Sequence, residues 1–294
     1  MRILEYKVTD KMKGKQIKNI LKYELGVSGS LLTKLKKYPE GIMVNDRPVY
    51  ANVVVNVGDR IKITIKDSPS VNIVGSDIKL EIIYEDEDIL VVNKPRSMPT
   101  HPSQNHHNDT LVNAVAYQCP DIAFRVITRL DRDTSGVVLI AKNKLSAAIL
   151  SKSMKNGEIY KKYCAVCHGC PSKEKGIIEE PIARKQGSLI LREVNPLGKK
   201  AITQYEVLGS ENGLSFIALR PLTGRTHQLR VHLSHLGVPI YGDDMYGSPC
   251  MDEKFRLHCK SISFIHPVSR IQLCFDAPIP QDMLKFGFYF IADK

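Results

Sequence analysis

Thr128-Arg129-Leu130-Asp131-Arg132-Asp133-Thr134-Ser135-Gly136 runs directly into the apolar Val137-Val138-Leu139-Ile140-Ala141. Asp133 to Gly136 is turn-forming, and the apolar run behind it reads as a buried strand. Asp131 therefore sits at a loop-to-strand junction, where a scaffold commonly presents a reactive group. Alone, an Arg-Leu-Asp triplet is weak, because most such aspartates make surface ion pairs or cap turns. A second polar stretch roughly a hundred residues later, Thr223-Gly224-Arg225-Thr226-His227-Gln228-Leu229-Arg230-Val231-His232, offers it a partner.

The segment from Thr226 to Leu236 fits a helix stopped by Gly237 and Pro239, with Leu229, Leu233 and Leu236 on its apolar face. Arg230 then lies one turn beyond Thr226 and can reach across a cleft. An arginine within about 4–6 Å of an aspartate lowers its pKa by roughly 1–3 units and keeps it charged, as a nucleophilic carboxylate must be. The plainer alternative is a structural Arg–Asp pair. Tyr163, in Tyr160-Lys161-Lys162-Tyr163, stands at the start of a strand. Its ring can stack on a base and its phenol can exchange a proton, although an isolated tyrosine there more often packs in a core.

Further out, Leu80 to Tyr84 and Ile89 to Asn93 are strand-like runs around the acidic turn Glu85-Asp86-Glu87-Asp88. A polar loop at 101–109 precedes an apolar segment from Thr110 to Tyr117. Leu145 to Met154 fits a helix, and Tyr163–Cys167 and Ser215–Leu219 read as strands. This irregular interleaving predicts an α+β fold with a large mixed β-sheet; mainly antiparallel pairing, flanking helices and a central cleft are expected with it.

The charge is uneven. Of the net +11 carried by 294 residues, positions 1–66 hold 14 basic and 6 acidic side chains, leaving +3 for the rest. A basic module on a near-neutral body points to a polyanion, most often nucleic acid, rather than to a merely solvated surface. Ile17, Ile20 and Leu21 fall at helical spacing with Lys15, Lys18 and Lys22 elsewhere on the turn. Ser28 or Ser30 can cap a second helix carrying Leu31, Leu32 and Leu35, with Lys34, Lys36 and Lys37 outward. The Gly41–Arg47 and Asn56–Ile61 stretches add strand and turn signals. The expected division is a small basic α/β domain at 1–66, a linker at 67–78 and a large domain at 79–294.

No apolar run approaches the roughly 18 residues of a membrane span, and the first residues do not open a secretory signal. Seven irregularly spaced cysteines suit reduced thiols in a cytoplasm. Cys164-Ala165-Val166-Cys167-His168 spells a haem-attachment motif, but strand alternation puts its two cysteines on opposite faces. His227, His232 and His235 lack the acidic neighbour and spacing of a His-Glu-x-x-His metal site. No metal or cofactor is expected.

These blocks together resemble the RluA-type pseudouridine synthases. The resemblance covers about residues 80–275 and includes Glu85-Asp86-Glu87-Asp88-Ile89-Leu90-Val91-Val92-Asn93-Lys94-Pro95, Gly198 to Tyr205, Pro239 to Asp243 and Arg256-Leu257-His258. Residues 10–65 resemble the small RNA-binding domain named after a ribosomal small-subunit protein, with its Gly-x-Val-Asn-like and Gly-Asp turns after the helices.

The resemblance implies isomerisation of uridine in RNA to pseudouridine, with no redox cofactor or energy donor. It implies that Asp131 is the catalytic aspartate, Tyr163 the base-stacking residue and Arg230 the partner of the carboxylate. Arg129 then fills the space left by the flipped nucleotide, with Arg225, His227, Lys34, Lys36 and Lys37 as further RNA contacts. RNA, ribosomal by preference and transfer RNA as the alternative, is the expected partner of a cytoplasmic monomer. One departure stands out: Thr128 occupies the place of the family's usual histidine. It opens a competing reading, a catalytically weak RNA-binding or ribosome-assembly factor on a synthase scaffold.

Overall fold

A computed structural model describes residues 1–68, 73–103, 105–247 and 254–288. The amino-terminal part is built from β1 (Arg2–Lys7), α1 (Ile17–Asn19, continued by a wider turn Ile20–Glu24), α2 (Gly29–Leu35), β2 (Ile42–Val44), β3 (Arg47–Pro48) and β4 (Arg60–Ile65). The strands form an antiparallel sheet in the order β1-β4-β2-β3. Ile17, Ile20, Leu21, Leu31 and Leu35 bury the helices against Ile61, Ile63 and Ile65. Ser28 is the residue that caps α2, its hydroxyl accepting from Leu31 N at 3.2 Å. The β2–β3 turn needs positive φ at Asn45 (50°) and Asp46 (61°), residues that tolerate it. Asn45 is also tied to the Gly-Asp turn, its Oδ1 accepting from Arg60 N and its Nδ2 donating to Asp59.

This sheet does not hang free. Leu145 and Ile149 of the body complete its core. Arg2 donates to Asp88 through Nε (3.3 Å) and Nη2 (2.8 Å), and Asp88 also accepts from Asn143 and Ser146. Within the expected linker, residues 69–72 lie outside the described residues. Its remaining parts are anchored: Asp67 accepts from Arg125 and Lys144, Ile73 and Ile78 pack on the body, and Asn113 donates to Val74 O at 2.7 Å. Turn-forming composition revealed a break in periodicity but not these attachments.

The body is α+β, as expected. Its strands are β5 (Glu81–Glu85), β6 (Ile89–Lys94), β7 (Arg125–Val126), β8 (Ser135–Ala141), β9 (Tyr160–His168), β10 (Lys175–Ile178), β11 (Ile182–Arg184), β12 (Arg192–Val194), β13 (Thr203–Glu211), β14 (Leu214–Pro221), β15 (Leu257–Ile265) and β16 (Gln272–Asp276). A ten-stranded sheet runs β10-β13-β14-β9-β15-β8-β6-β5, with β16 on β15 and β7 on β8, while β11 and β12 pair separately. The helices are α3 (Leu111–Gln118), α4 (Lys144–Lys155), α5 (Gln228–His235) and α6 (Gln281–Leu284). Thr110 starts α3 with a capping box to Asn113, and Asn143 caps α4 through Ser146 N at 2.9 Å. Among the described residues no helix is long and apolar enough to cross a membrane.

β8 is buried at every position, as its apolar run requires. Alternation along β9 sends Cys167 into the main core and Cys164 into a smaller cluster with Phe216 and Phe288, so the two thiols face opposite sides.

The one parallel joint in the large sheet, β8 with β15, sets Ser135 and Gly136 against His258 and Cys259. Gly136 has φ +113°, and a Cβ there would lie 2.2 Å from Cys259 O, so only glycine permits the contact. Beside it, the fully buried His258 holds Ser135 Oγ at 2.9 Å. Burial pushes the His258 imidazole down to about 4. The unfolded chain therefore binds this proton near pH 6.5 while the native one resists it, and stability falls as pH drops from about 7 to 4. We expect up to about 3 kcal/mol of that loss to vanish in His258→Gln, read by urea unfolding at several pH values. An unchanged acid slope in the variant would refute the assignment.

Candidate active site

The Thr128–Gly136 loop is wired by its backbone. Thr128 is fully buried, and its Oγ1 accepts from Leu139 N at 2.9 Å, stitching the start of the loop to β8. The Leu130 carbonyl accepts from the Thr100 hydroxyl at 2.7 Å. Arg132 O accepts both Met98 N (3.1 Å) and Lys94 Nζ (3.0 Å). The same Lys94 ammonium donates to Pro95 O and Met98 O, each at 2.8 Å, from a fully buried position. Burial pushes Lys94 down to about 7, while Asp133 and Asp131 pull the other way. With the main chain so engaged, the half-buried Asp131 carboxylate faces outward, and no described residue hydrogen-bonds to it.

A cavity of about 270 Å³ opens over that carboxylate. This is near the lower end of ligand-pocket volumes, room for one base rather than a helix. Asp131, Arg129, Tyr163, Arg225, His227 and Arg230 all line it, so six of the nine site residues predicted from sequence meet at one place. Lys34, Lys36 and Lys37 do not. They sit exposed at the end of α2 and just after it, on the amino-terminal sheet.

Tyr163 comes up from β9, pairing with Leu219 of β14 and Cys259 of β15, and only 7% of it is exposed. Burial, with Cys259 and Asp131 adding, holds its phenol well above the ordinary tyrosine value, so it stays protonated. Lys161, two residues earlier on the same face, lies 5.6 Å from the Tyr163 ring centre and lines the cavity. Burial lowers its pKa, with Cys259 and Asp131 opposing. The sequence reading gave Lys161 no role, although period-two alternation already put it beside Tyr163.

Arg230 rises from α5, and its direct partner differs from the expected one. Its guanidinium forms a two-pronged pair with the buried Asp243, Nε to Oδ2 at 2.8 Å and Nη2 to Oδ1 at 2.6 Å. Asp131 acts on it through space alone. The reason is geometric: Asp243 is fixed by accepting Met245 N and Tyr246 N, presenting both oxygens to the planar fork. Burial opposes the charge on Arg230, and the Asp243 bonds more than restore it, so its pKa is raised. Its guanidinium also lies 5.0 Å from the Tyr246 ring and 4.9 Å from the Phe255 ring. Asp243 had no role in the sequence reading; the signal available was that a buried arginine requires a carboxylate.

The helix begins at Gln228 rather than Thr226, because His227 takes a left-handed backbone (φ 56°). That turn directs His227 Nδ1 to the Tyr246 hydroxyl at 2.8 Å, and burial lowers the imidazole's pKa. Arg225 Nε donates to Lys200 O at 2.9 Å and leaves the rest of its guanidinium at the exposed rim. Arg129 is likewise exposed at the mouth. The arrangement is one accessible carboxylate in a cationic, aromatic-walled recess, suited to reaction at a neutral ring joined to a polyanion.

Metal ligands group elsewhere. Among the described residues, Asp86, Asp88 and His266 bring candidate atoms within 4.8 Å of one another. Their charges already have partners: Arg2 on Asp88, and the Asp88 and Ile89 N–H groups on Asp86.

The RNA pseudouridylate synthase family profile matches residues 88–235. A Bacillus subtilis RNA pseudouridine synthase, YjbO, is 38% identical over 268 residues, 89% of this chain and 95% of that protein. The ribosomal large subunit pseudouridine synthase D of Salmonella typhimurium is 35% identical over 246 residues, covering 77% and 75% of the two chains. Among solved structures, human RNA pseudouridylate synthase domain containing 1 superposes with a TM-score of 0.60 at 29% identity, covering 71% of this chain and 88% of that one.

Removing Asp243 alone leaves a buried guanidinium uncompensated. Asp243→Asn is expected to cost about 3 kcal/mol or more in urea unfolding, with much of the loss recovered when Arg230→Met is added. A single-variant loss below about 1 kcal/mol would show that the pair does not hold this wall.

Proposed function

The chain belongs to the RNA pseudouridine synthase family, and from that premise we propose that Asp131 carries the isomerisation of uridine in ribosomal RNA. Membership gives the reaction: the nitrogen–carbon glycosidic bond breaks, uracil turns while bound, and a carbon–carbon bond forms to the same sugar. Atoms are conserved, so the reaction has no net oxidation or group transfer. The observation that carries the residue assignment is that Asp131, the one carboxylate lining the cavity, has no hydrogen-bonded partner among the described residues.

In this reading the target uridine leaves its stack at a cost of a few kcal/mol, which favours loops and weakly paired sites. Arg129 at the mouth takes the space vacated, and Tyr163 packs against the extruded ring. Asp131 acts at the sugar or base within the field of the Arg230 guanidinium, whose own position Asp243 fixes. Lys161, next to the tyrosine ring, offsets negative charge developing on the base. Thr128 serves the backbone and does not line the cavity, so its replacement of the family's histidine leaves these contacts untouched.

The ribosomal target draws support from the large-subunit synthase of Salmonella typhimurium. The amino-terminal lysines add phosphate contacts in this reading. Their binding is then salt-dependent, each phosphate neutralised steepening the slope of affinity against salt.

Asp131→Asn is expected to bind RNA within about twofold of wild type yet lower pseudouridine formation by roughly 10³-fold or more. Tritium release from uracil-labelled ribosomal RNA, paired with a filter-binding measurement, checks both halves. Near-wild-type release would sink the role given to this carboxylate.

A further inference from the structure

Sharing no lining residue with the reaction cavity, another recess of about 750 Å³ opens on the amino-terminal sheet. Its floor is apolar, made by Leu35 and Ile42, with Ala51 buried beside them. Tyr38, Pro48 and Tyr50 give it flat walls, and its rim carries Lys18, Lys36 and Lys37. No acidic residue among the described residues lines it. Gly41 lets the chain close so tightly below it, since a Cβ there would lie 1.9 Å from Leu35 O.

Two details point to an occupant. Tyr50 is 83% exposed, and Val53 and Val54 beside it are 38% and 53% exposed. Tyr38 already has the Lys66 ammonium 4.9 Å from its ring centre, so Tyr50 is the ring left open for a flat partner. The apolar floor and open aromatic face suit the faces of a base, and the cationic rim suits its phosphate. A paired helix presents phosphates but keeps its base faces stacked, and it could use only the rim.

We infer that this recess holds one unpaired nucleotide of the RNA substrate, its base stacked on Tyr50 and its phosphate among Lys18, Lys36 and Lys37. The inference rests on the reading of the amino-terminal lysines as an RNA contact and narrows it from RNA in general to a single-stranded segment. Such a site would bind a loop or junction at a distance from the uridine being isomerised, so that two unpaired positions are recognised by one molecule.

Fluorescence anisotropy of the full chain, with a labelled oligouridylate and with a fully paired, blunt-ended RNA duplex, tests it. Tyr50→Ala is expected to weaken oligouridylate binding about tenfold, because base stacking is lost without loss of charge. The slope of log Kd against log salt should stay unchanged, Tyr50→Phe should bind as wild type, and duplex affinity should move less than about twofold. Equal loss on both RNAs, no loss on either, or a changed slope in Tyr50→Ala overturns the recess. A variant with Lys34, Lys36 and Lys37 all changed to Gln is measured alongside. If its slope is unchanged, the lysine contact itself is wrong; a shallower slope with intact Tyr50→Ala binding overturns the recess alone.

Discussion

Lys94 holds the site together. One buried ammonium reaches three carbonyls, two in its own turn and one in the Asp131 loop 38 residues along the chain. It takes the place of the water those carbonyls would otherwise seek, so two loops with little regular hydrogen bonding become rigid relative to the sheet. The cost is a charge far from solvent, visible in the depression to about 7. The neighbouring parallel joint completes the grip. Gly136 brings β8 to β15 at a separation no other residue allows, and the loop has little freedom at either end.

This rigidity explains how the charges divide their labour. Arg230 is committed to Asp243, and Asp243 to two backbone N–H groups besides. Neither has to reorganise when a substrate arrives. Asp131 has the opposite character, with its backbone held and its carboxylate unengaged. A fixed cation close to an uncommitted anion is the arrangement electrostatic preorganisation calls for: the field exists before the reacting group enters it. Had Arg230 bonded Asp131 directly, a substrate would first have to break that bond.

Periodicity and local chemistry made much of this legible in advance. The all-apolar run at 137–141 identified β8, the Ser28 and Gly237 signals bounded helices, and alternation along β9 separated Cys164 from Cys167. The recess residues were legible only through motifs, because Asp131, Tyr163 and Arg230 are brought together by three separate segments whose packing no local pattern encodes. What stayed hidden was tertiary pairing. Nothing near Arg230 announces that Asp243 rather than Asp131 will take its fork, and nothing in Lys94-Pro95 says the lysine is buried. The left-handed His227 that shortened α5, and the Tyr246 contact that goes with it, likewise had no signal in the helical spacing.

The shared core between the amino-terminal sheet and α4 has a mechanical corollary. Leu145 and Ile149 are rooted in the body yet finish the packing of the smaller sheet, while Arg2 is riveted to Asp88. The two sheets are thus welded rather than hinged, and the span from the outer lysines to the reaction cavity is a set length. On the proposed reading the molecule works as a gauge, favouring RNAs whose own folding already supplies that spacing.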